Sequence, residues 1–143
     1  AGRTGEVTRY LLPEQVLFIH YRLIEETGGE HGVRDLALLL SALGRPQATF
    51  DGKELYAEVF FKAAALMDSL IRNHAFIDGN KRTAITSVGL FLRLNGYTLR
   101  VENDEMLRFT LACAQSQKSL EEIRFWLRGN SKQGKAAEDD HPS

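Results

Sequence analysis

The stretch from His74 to Thr83 carries the side chains of this chain that are best suited to chemistry: His-Ala-Phe-Ile-Asp-Gly-Asn-Lys-Arg-Thr. An imidazole can take a proton from an attacking hydroxyl group near neutral pH, which makes His74 the candidate general base. One carboxylate can suffice for Mg²⁺, because this ion completes its shell with water and phosphate oxygens. Asp78 is therefore the candidate metal ligand, and the stretch is suited to holding a nucleotide polyphosphate beside a reacting hydroxyl.

The second half of the stretch has residue types that bind phosphate. Gly79 allows a tight turn, and the free N–H groups of a helix that follows it attract an anion. Asn80 can cap that helix or donate to phosphate, while Lys81 offers a point charge and Arg82 a bidentate contact. Two cations at the positive end of a helix dipole favour an anion between them. Each residue also has an ordinary explanation as a turn, a cap or a solvated charge, so chemistry alone leaves both interpretations open.

Helical periodicity dominates the chain around this stretch. The predicted helices run from Pro13 to Thr27, from about Val33 to Leu43, from about Glu54 to Asn73, from Arg82 to Leu94, from Asn103 onward, and from the capping box Ser119-x-x-Glu122 onward. The third and fourth helices are apolar nearly all round, which is typical of buried helices. Because they flank the stretch, we expect the loop between them to be rigid, with Phe76 anchoring it in the core. In the second helix we expect an inward row of Leu36, Leu39, Leu40 and Leu43.

The remaining segments predict short extended structure and a tail. Gln47 to Lys53 lacks a helical period and indicates an exposed loop or small hairpin centred on Asp51-Gly52. Tyr97 to Val101 predicts a short strand or extended link. We therefore predict an all-α, compact single domain of about six helices over residues 1–128, with a small hairpin before the third helix. The polar residues 129–143 predict a disordered tail.

Composition excludes several classes of protein. The 143 residues are 43% hydrophobic and 26% charged with a net charge of −1, so no basic field favours nucleic acid. No apolar run approaches the roughly 20 residues that span a bilayer. The single cysteine, Cys113, lies in an apolar run, which predicts a packing role and fits a reducing compartment. We expect a cytoplasmic protein without direct contact to nucleic acid or membrane.

The loop resembles the signature of the Fic/death-on-curing superfamily, His-x-Phe-x-(Asp/Glu)-Gly-Asn-(Gly/Lys)-Arg. The matching positions are His74, Phe76, Asp78, Gly79, Asn80, Lys81 and Arg82. The similarity extends to the segments Val16 to Asp35, Arg45 to Tyr56 and Lys62 to Tyr97, which look like the death-on-curing (Doc) toxin branch. It covers most of residues 8–100. The resemblance implies that the predicted all-α domain is the compact catalytic domain of this superfamily.

Positions 81 and 85 separate the branches of the superfamily. In Fic-type AMP transferases the motif continues Asn-Gly-Arg-x-x-Arg, whereas this chain has Lys81, Arg82 and Ile85. This difference favours the death-on-curing toxins, whose members transfer the γ-phosphoryl group of ATP to a threonine of elongation factor Tu and inhibit translation. Some of those toxins lack the pair Asp78-Gly79, so the loop combines features of both branches. Transfer of AMP to a protein hydroxyl stays open as the alternative.

The resemblance implies a role for each residue of the site. His74 deprotonates the target hydroxyl, Asp78 holds Mg²⁺, and the phosphates of ATP are held by Gly79, Asn80, Lys81 and Arg82. The segment Gln47 to Lys53 corresponds to a flap that docks the target by strand-like pairing. In that role Thr49, Phe50 and Asp51 act mainly through backbone groups. From the residues alone, the same segment is typical of an ordinary surface turn.

The resemblance also implies partners. Death-on-curing toxins of bacteria belong to type II toxin-antitoxin systems, and a segment of the cognate antitoxin folds as a helix into a groove on the toxin. Thr98-x-x-x-Glu102-Asn103 matches the pattern of a built-in inhibitory helix, but it lies in an extended link, so we interpret the match as chance. An idle module that only binds a partner is the remaining alternative, against which the intact His74, Asp78 and Arg82 argue.

Overall fold

Six α-helices and two small antiparallel pairs of strands make up the described part of the chain. The computed structural model describes residues 7–134, and residues 1–6 and 135–143 lie outside it. The helices are α1 (Pro13–Thr27), α2 (Leu36–Gly44), α3 (Val59–Asn73), α4 (Asn80–Leu94), α5 (Asn103–Ala114) and α6 (Leu120–Gly129). The strands are β1 (Thr49–Phe50), β2 (Lys53–Glu54), β3 (Tyr97–Leu99) and β4 (Ser131–Gln133). The predicted all-α fold with about six helices and a small hairpin before the third is confirmed.

The two helices that flank the motif form the centre of the core. α3 packs against α2, α4, α5 and α6, and α4 also contacts α1 and β3. Both central helices place apolar residues on several faces, as the sequence predicted. The core includes Ala63, Ala64, Leu66, Met67, Ala84, Val88, Phe91 and Leu92, each at most 1% exposed. Burial on several faces fixes both helices against translation and rotation, so the loop between them has firm ends.

The second helix begins later than predicted and buries fewer leucines. Asp35 is its N-cap, since its carboxylate accepts a hydrogen bond from the Leu38 amide at 3.2 Å. Val33 is not helical, because it forms an antiparallel bridge with Phe76. Leu36 and Leu40 are 51% and 47% exposed, so their predicted inward orientation is wrong. A helix of nine residues presents one narrow face to the core, and Leu39, Ala42 and Leu43 occupy it.

The third helix also begins later than predicted. Its N-cap is Glu58, whose carboxylate accepts hydrogen bonds from the amides of Phe60 and Phe61. Glu54 belongs instead to β2, and Leu55 is 51% exposed rather than buried on a helix. The apolar pattern misplaced the start because Leu55 and Val59 are spaced like residues of one helical face.

Part of the predicted tail is a strand. β4 pairs antiparallel with β3, with Tyr97 opposite Gln133 and Leu99 opposite Ser131. The predicted boundary at residue 129 is therefore several residues too early, and the rest of that prediction, residues 135–143, lies outside the described residues. The residues of β4 are polar and carry no local strand pattern, since the pairing is made with a segment more than thirty residues earlier. Thr98 lies in β3, so no helix carries the match to the inhibitory pattern.

The last two helices begin as predicted. Ser119 and Glu122 form the reciprocal capping box at the start of α6. Cys113 is buried on α5, and burial is the main cause that raises the pKa of its thiol to about 12. Its packing role is thus confirmed. Within residues 7–134, no helix has both the length and the apolar character needed to cross a membrane.

Candidate active site

The motif loop, residues 74–79, enters and leaves through left-handed backbone. His74 is the C-cap of α3 with φ 49° and ψ 52°, and Gly79 is the N-cap of α4 with φ 77° and ψ 19°. Glycine adopts this conformation without strain, whereas for histidine it costs roughly 1–2 kcal/mol. The surrounding structure must therefore hold His74 in place.

A neighbouring segment, residues 32–35, braces the motif loop from one side. Val33 and Phe76 form the antiparallel bridge, the Arg34 amide donates to the Ala75 carbonyl at 2.7 Å, and the Ile77 amide donates to the Gly32 carbonyl at 3.1 Å. These bonds follow the loop through its middle. The loop is thereby fixed along its backbone as if it were part of a small sheet.

The core holds the loop from the opposite side. Phe76 is 2% exposed, and its ring stacks on that of His20 with 3.9 Å between centroids and 11° between planes. His20 is itself buried, and its Nε2 lies 2.8 Å from the Asp78 carbonyl oxygen. His20 therefore has a structural role, through this hydrogen bond and its stacked ring. One histidine of α1 therefore supports both the anchor of the loop and the backbone of the candidate metal ligand.

Asn80 acts on the loop rather than as a cap. Its side-chain oxygen accepts from the Phe76 amide at 3.0 Å, and its side-chain nitrogen donates to the Phe76 carbonyl at 2.9 Å. Of the two roles expected for Asn80, the capping of α4 is wrong, because the N-cap is Gly79, which has no side chain. No side-chain acceptor therefore covers the first turn of α4 within the described chain. Its amides remain available to an anion.

Asp78 presents an exposed carboxylate at the end of the loop. Its Oδ1 accepts from the Gly79 amide at 2.8 Å and its Oδ2 accepts from the Glu30 amide at 3.2 Å. A side chain at Gly29 would come within 2.7 Å of Oδ2, so this glycine makes the close approach possible. Each carboxylate oxygen keeps a second lone pair. The carboxylate is oriented but not saturated, which fits a ligand for Mg²⁺.

A cavity of about 770 Å³ opens beside Asp78. It lies between the end of α1, the start of α4 and one face of α5. Its polar wall consists of Asp78, Gly79, Asn80, Lys81 and Arg82, and its apolar wall includes Ile24, Ile85, Met106, Leu107 and Leu111. The volume lies within the range of small-molecule and cofactor sites, roughly 300–1,000 Å³. A charged end beside an apolar end suits a ligand with phosphates at one end and a flat ring at the other.

Not every predicted site residue lines this cavity. Within residues 7–134, His74 and the flap residues Thr49, Phe50 and Asp51 are absent from its walls. His74 is exposed at the far end of the motif loop. The candidate base and the candidate phosphate ligands therefore lie at opposite ends of one short, rigid loop. The wall contributed by α5 could not be predicted from the sequence, because the neighbours of a helix far along the chain depend on how the chain folds.

The flap is the hairpin of β1 and β2. Asp51 and Gly52 have φ of 57° and 78°, so both central residues of the turn are left-handed, as a type I′ turn requires. Phe50 is 75% exposed. The neck of the hairpin is closed where the Leu55 amide donates to the Ala48 carbonyl at 2.9 Å. The tip thus projects from the surface, and the hairpin predicted around Asp51-Gly52 is confirmed as a structure.

Charged side chains tie the neck of the flap to α3. Lys62 is 2% exposed and forms an ion pair with Glu54 of β2, while its ammonium also donates to the Pro46 carbonyl at 3.4 Å. Arg45 donates to the Tyr56 hydroxyl at 3.0 Å and to the Asp68 carboxylate at 2.8 Å. Arg45 before the hairpin and Glu54 within it therefore bind α3 directly, and Tyr56 after it is linked to α3 through Arg45.

A family model and two known proteins that resemble this chain all carry the name Doc. The model of the Fic/DOC family matches residues 10–92, more than half of the chain. Over 77 residues the chain is 52% identical to Toxin Doc of Mycolicibacterium smegmatis, covering 54% of this chain and 59% of that protein. Over 120 residues it is 32% identical to Protein kinase doc of Escherichia phage P1, covering 84% of this chain and 94% of that protein.

Proposed function

The chain belongs to the Fic/DOC family, and we propose that it is a toxin of the death-on-curing type that transfers the γ-phosphoryl group of ATP to a protein hydroxyl. The names of the two relatives, a toxin and a protein kinase, agree with this proposal. The observation that carries it is the cavity whose polar wall is the second half of the motif. That wall combines a carboxylate, two cations and an uncapped helix start.

Phosphoryl transfer depends mainly on positioning and on neutralising charge. In the proposed reaction the acceptor hydroxyl oxygen bonds to the γ-phosphorus, and the bond from that phosphorus to the β–γ bridging oxygen breaks, which releases ADP. His74 takes the hydroxyl proton. Its exposed position at the start of the motif loop leaves it accessible to a protein acceptor outside the cavity.

The polar wall of the cavity would hold the polyphosphate. Asp78 would hold Mg²⁺, which would neutralise part of the charge of the phosphates. Arg82 and Lys81 would contact phosphate oxygens, and the first-turn amides of α4, beginning after Gly79, would donate to them. Asn80 would contribute through its backbone amide, because its side chain is engaged with Phe76.

Two cavity residues favour phosphoryl over AMP transfer. Lys81 and Ile85 both line the cavity, and Ile85 is 6% exposed, so it forms part of the apolar wall. The family pattern for AMP transfer places glycine and arginine at these positions. The apolar side chain at position 85 cannot bind a phosphate and suits contact with a base or ribose instead. Transfer of AMP is the second candidate, and the pair Asp78-Gly79 is the feature that favours it.

The flap would receive the acceptor protein, for which elongation factor Tu is the first candidate. A hairpin of two strands leaves hydrogen-bonding groups unpaired along its outer edges, and an extended segment can pair with such an edge. Thr49, Phe50 and Asp51 are all exposed in the structure. Their contribution would come mainly from the backbone.

An antitoxin would supply the control. Leu107 and Leu111 lie one turn apart on α5 beside the cavity and are 59% and 48% exposed. A pair with this spacing suits the apolar face of a partner helix. We expect the cognate antitoxin to fold along this face and to restrict access to the cavity.

The test is the intact mass of elongation factor Tu after incubation with the protein, Mg²⁺ and ATP. The control variants are His74→Ala and His31→Ala; His31 pairs with Glu25 outside the cavity. A gain of one phosphoryl group that is lost only in His74→Ala supports the proposal. A gain of one AMP supports the second candidate. No gain on this or any other protein of a bacterial lysate, with tight antitoxin binding retained, would indicate an idle binding module.

A further inference from the structure

Arg34 makes an unusual pair of contacts at the start of the motif loop. Its Nε donates to the His74 carbonyl at 2.7 Å, and its Nη2 donates to the Asn73 carbonyl at 3.0 Å. These two carbonyls belong to the peptide groups on either side of the His74 Cα. One planar guanidinium therefore holds both peptide planes, and this fixes φ and ψ of His74 together.

The orientation of His74 depends on its backbone more than is usual for a base. In most sites of this kind a third group orients the base through a hydrogen bond to its ring. Among residues 7–134, the structure shows no hydrogen bond to the His74 imidazole. The direction of its Cα–Cβ bond, and hence the region that the ring can reach, is set by the left-handed backbone. We propose that Arg34 is the positioning residue of the candidate base, an inference that rests on the proposed function.

Arg34 is itself well fixed for this task. Its amide donates to the Ala75 carbonyl at 2.7 Å, and the preceding residue, Val33, bridges to Phe76. Its positive charge lies at the C-terminal end of α3, where the helix dipole favours a cation. A lysine would supply a point charge that cannot span two carbonyls in a fixed geometry. The arginine thus combines an anchored backbone with a bidentate side chain.

The adjacent residue offers a matched control. Asp35 has its backbone bound to the same Ala75 carbonyl, but its side chain caps α2 and does not touch the peptide groups of His74. Asp35→Ala therefore disturbs the same segment and lowers stability without releasing the base.

The experiment compares Arg34→Ala, Arg34→Lys and Asp35→Ala in steady-state phosphoryl transfer. We expect Arg34→Ala to lower kcat by about 100-fold, the order of loss known for small misplacements of a catalytic group. The KM for ATP should change less than about twofold, because Arg34 does not line the cavity. Arg34→Lys should give an intermediate kcat, and Asp35→Ala a kcat within about twofold of the original. Equal losses in the Arg34 and Asp35 variants would overturn the proposal.

Two further measurements separate positioning from general damage. In a His74→Ala background, Arg34→Ala should cause no additional loss of rate, since groups that act as a unit are not additive; a further loss would contradict the proposal. Backbone chemical shifts of His74 report its φ and ψ without any activity. The shifts should show that His74 leaves the left-handed conformation in Arg34→Ala and keeps it in Asp35→Ala. This result would support the role of Arg34 even if elongation factor Tu is not the acceptor, whereas unchanged shifts would refute it.

Discussion

The motif loop and the flap are both short connections next to α3, yet the structure holds them in opposite ways. The motif loop is fixed along its whole length, by the bridge to Val33, the buried ring of Phe76 and the side chain of Asn80. The flap is fixed only at its neck, through Lys62 and Arg45, while its tip is exposed. The rigid motif loop can hold side chains in fixed positions, whereas the exposed flap can offer backbone hydrogen-bonding groups to another chain. A catalytic loop therefore needs particular side chains that fix its backbone, whereas a docking hairpin needs only a stable turn and a firm neck.

The largest test of this contrast removes the base. We expect His74→Ala to reduce phosphoryl transfer by about 10²–10⁴-fold, the usual contribution of a general base. Phe50→Ala at the flap should leave most of the rate, because the flap acts through its backbone. The measurement is the initial rate of transfer from labelled ATP. A His74→Ala rate within tenfold of the original would mean that another group takes the proton.

The second test compares two phenylalanines by stability. Phe76→Ala should lower the free energy of unfolding by about 3–5 kcal/mol, because the ring is buried and stacked on His20. Phe50 is 75% exposed, so Phe50→Ala should change the same quantity by less than about 0.5 kcal/mol. Urea unfolding monitored by circular dichroism measures both. Similar losses in the two variants would show that the flap is packed in solution.

The third test concerns the free edge of the flap. Residues on either side of a two-residue turn form a hydrogen-bonded pair, and Leu55 is bonded to Ala48, so the amide of the intervening Thr49 faces outward. Thr49→Pro removes this donor and should lower kcat/KM for the acceptor protein by roughly tenfold, about the worth of one hydrogen bond. Thr49→Ala keeps the donor and should have little effect. Equal effects of both changes would assign the role to the side chain.

The smallest expected effect concerns the neck of the flap. Glu54→Gln should cost roughly 1 kcal/mol of stability, less than is usual for a charged hydrogen bond, because Glu54 is 54% exposed and screened by water. Lys53→Gln on the same strand is the control and should be nearly neutral. Thermal unfolding measures the difference between the two variants. An equal effect of both would show that the ion pair contributes nothing specific.

The same ion pair has a defined pH dependence. Burial lowers the pKa of Lys62, but its hydrogen bonds with Glu54 and Tyr10 outweigh burial, and the pKa lies above its usual 10.5. A raised pKa gives stability that is present below the unfolded value and lost as pH rises through the folded value. The difference between the original protein and Glu54→Gln should therefore be constant at neutral pH and shrink only above about pH 10.5. A difference that already shrinks near neutral pH would contradict this assignment.

The two regions also differ in how far the sequence could predict them. Local chemistry was enough for the turn at Asp51-Gly52, for the capping box at Ser119 and for the burial of Phe76. It failed where the position of another backbone segment decides the outcome. Capping of α4 was one of two roles expected for Asn80, but its side-chain amide binds the Phe76 backbone four residues earlier instead. Likewise Ser131–Gln133 becomes a strand only because Tyr97–Leu99 lies beside it.

The candidate site shows the same limit. The motif residues could be identified from their types and spacing, and the structure places five of them on one cavity wall. The apolar wall from α5 and the double contact of Arg34 could not be predicted, because both depend on how remote segments pack. At Gly29 another group approaches so closely that an added side chain would meet it at 2.7 Å. The approaching group is the Asp78 carboxylate.

Because β3 pairs with β4, α4 is a rigid spacer between the C-terminal strand and the cavity, and a distance between these two sites can be measured. The motif lies at the N-terminal end of α4, and β3 follows its C-terminal end, with β4 bound beside it. Fifteen helical residues separate the two ends, or roughly 22 Å at 1.5 Å per residue. A fluorophore attached near Gln133 would therefore sit at a fixed separation from a fluorescent nucleotide in the cavity. Energy transfer between the two would report nucleotide occupancy directly, without any label on the motif itself.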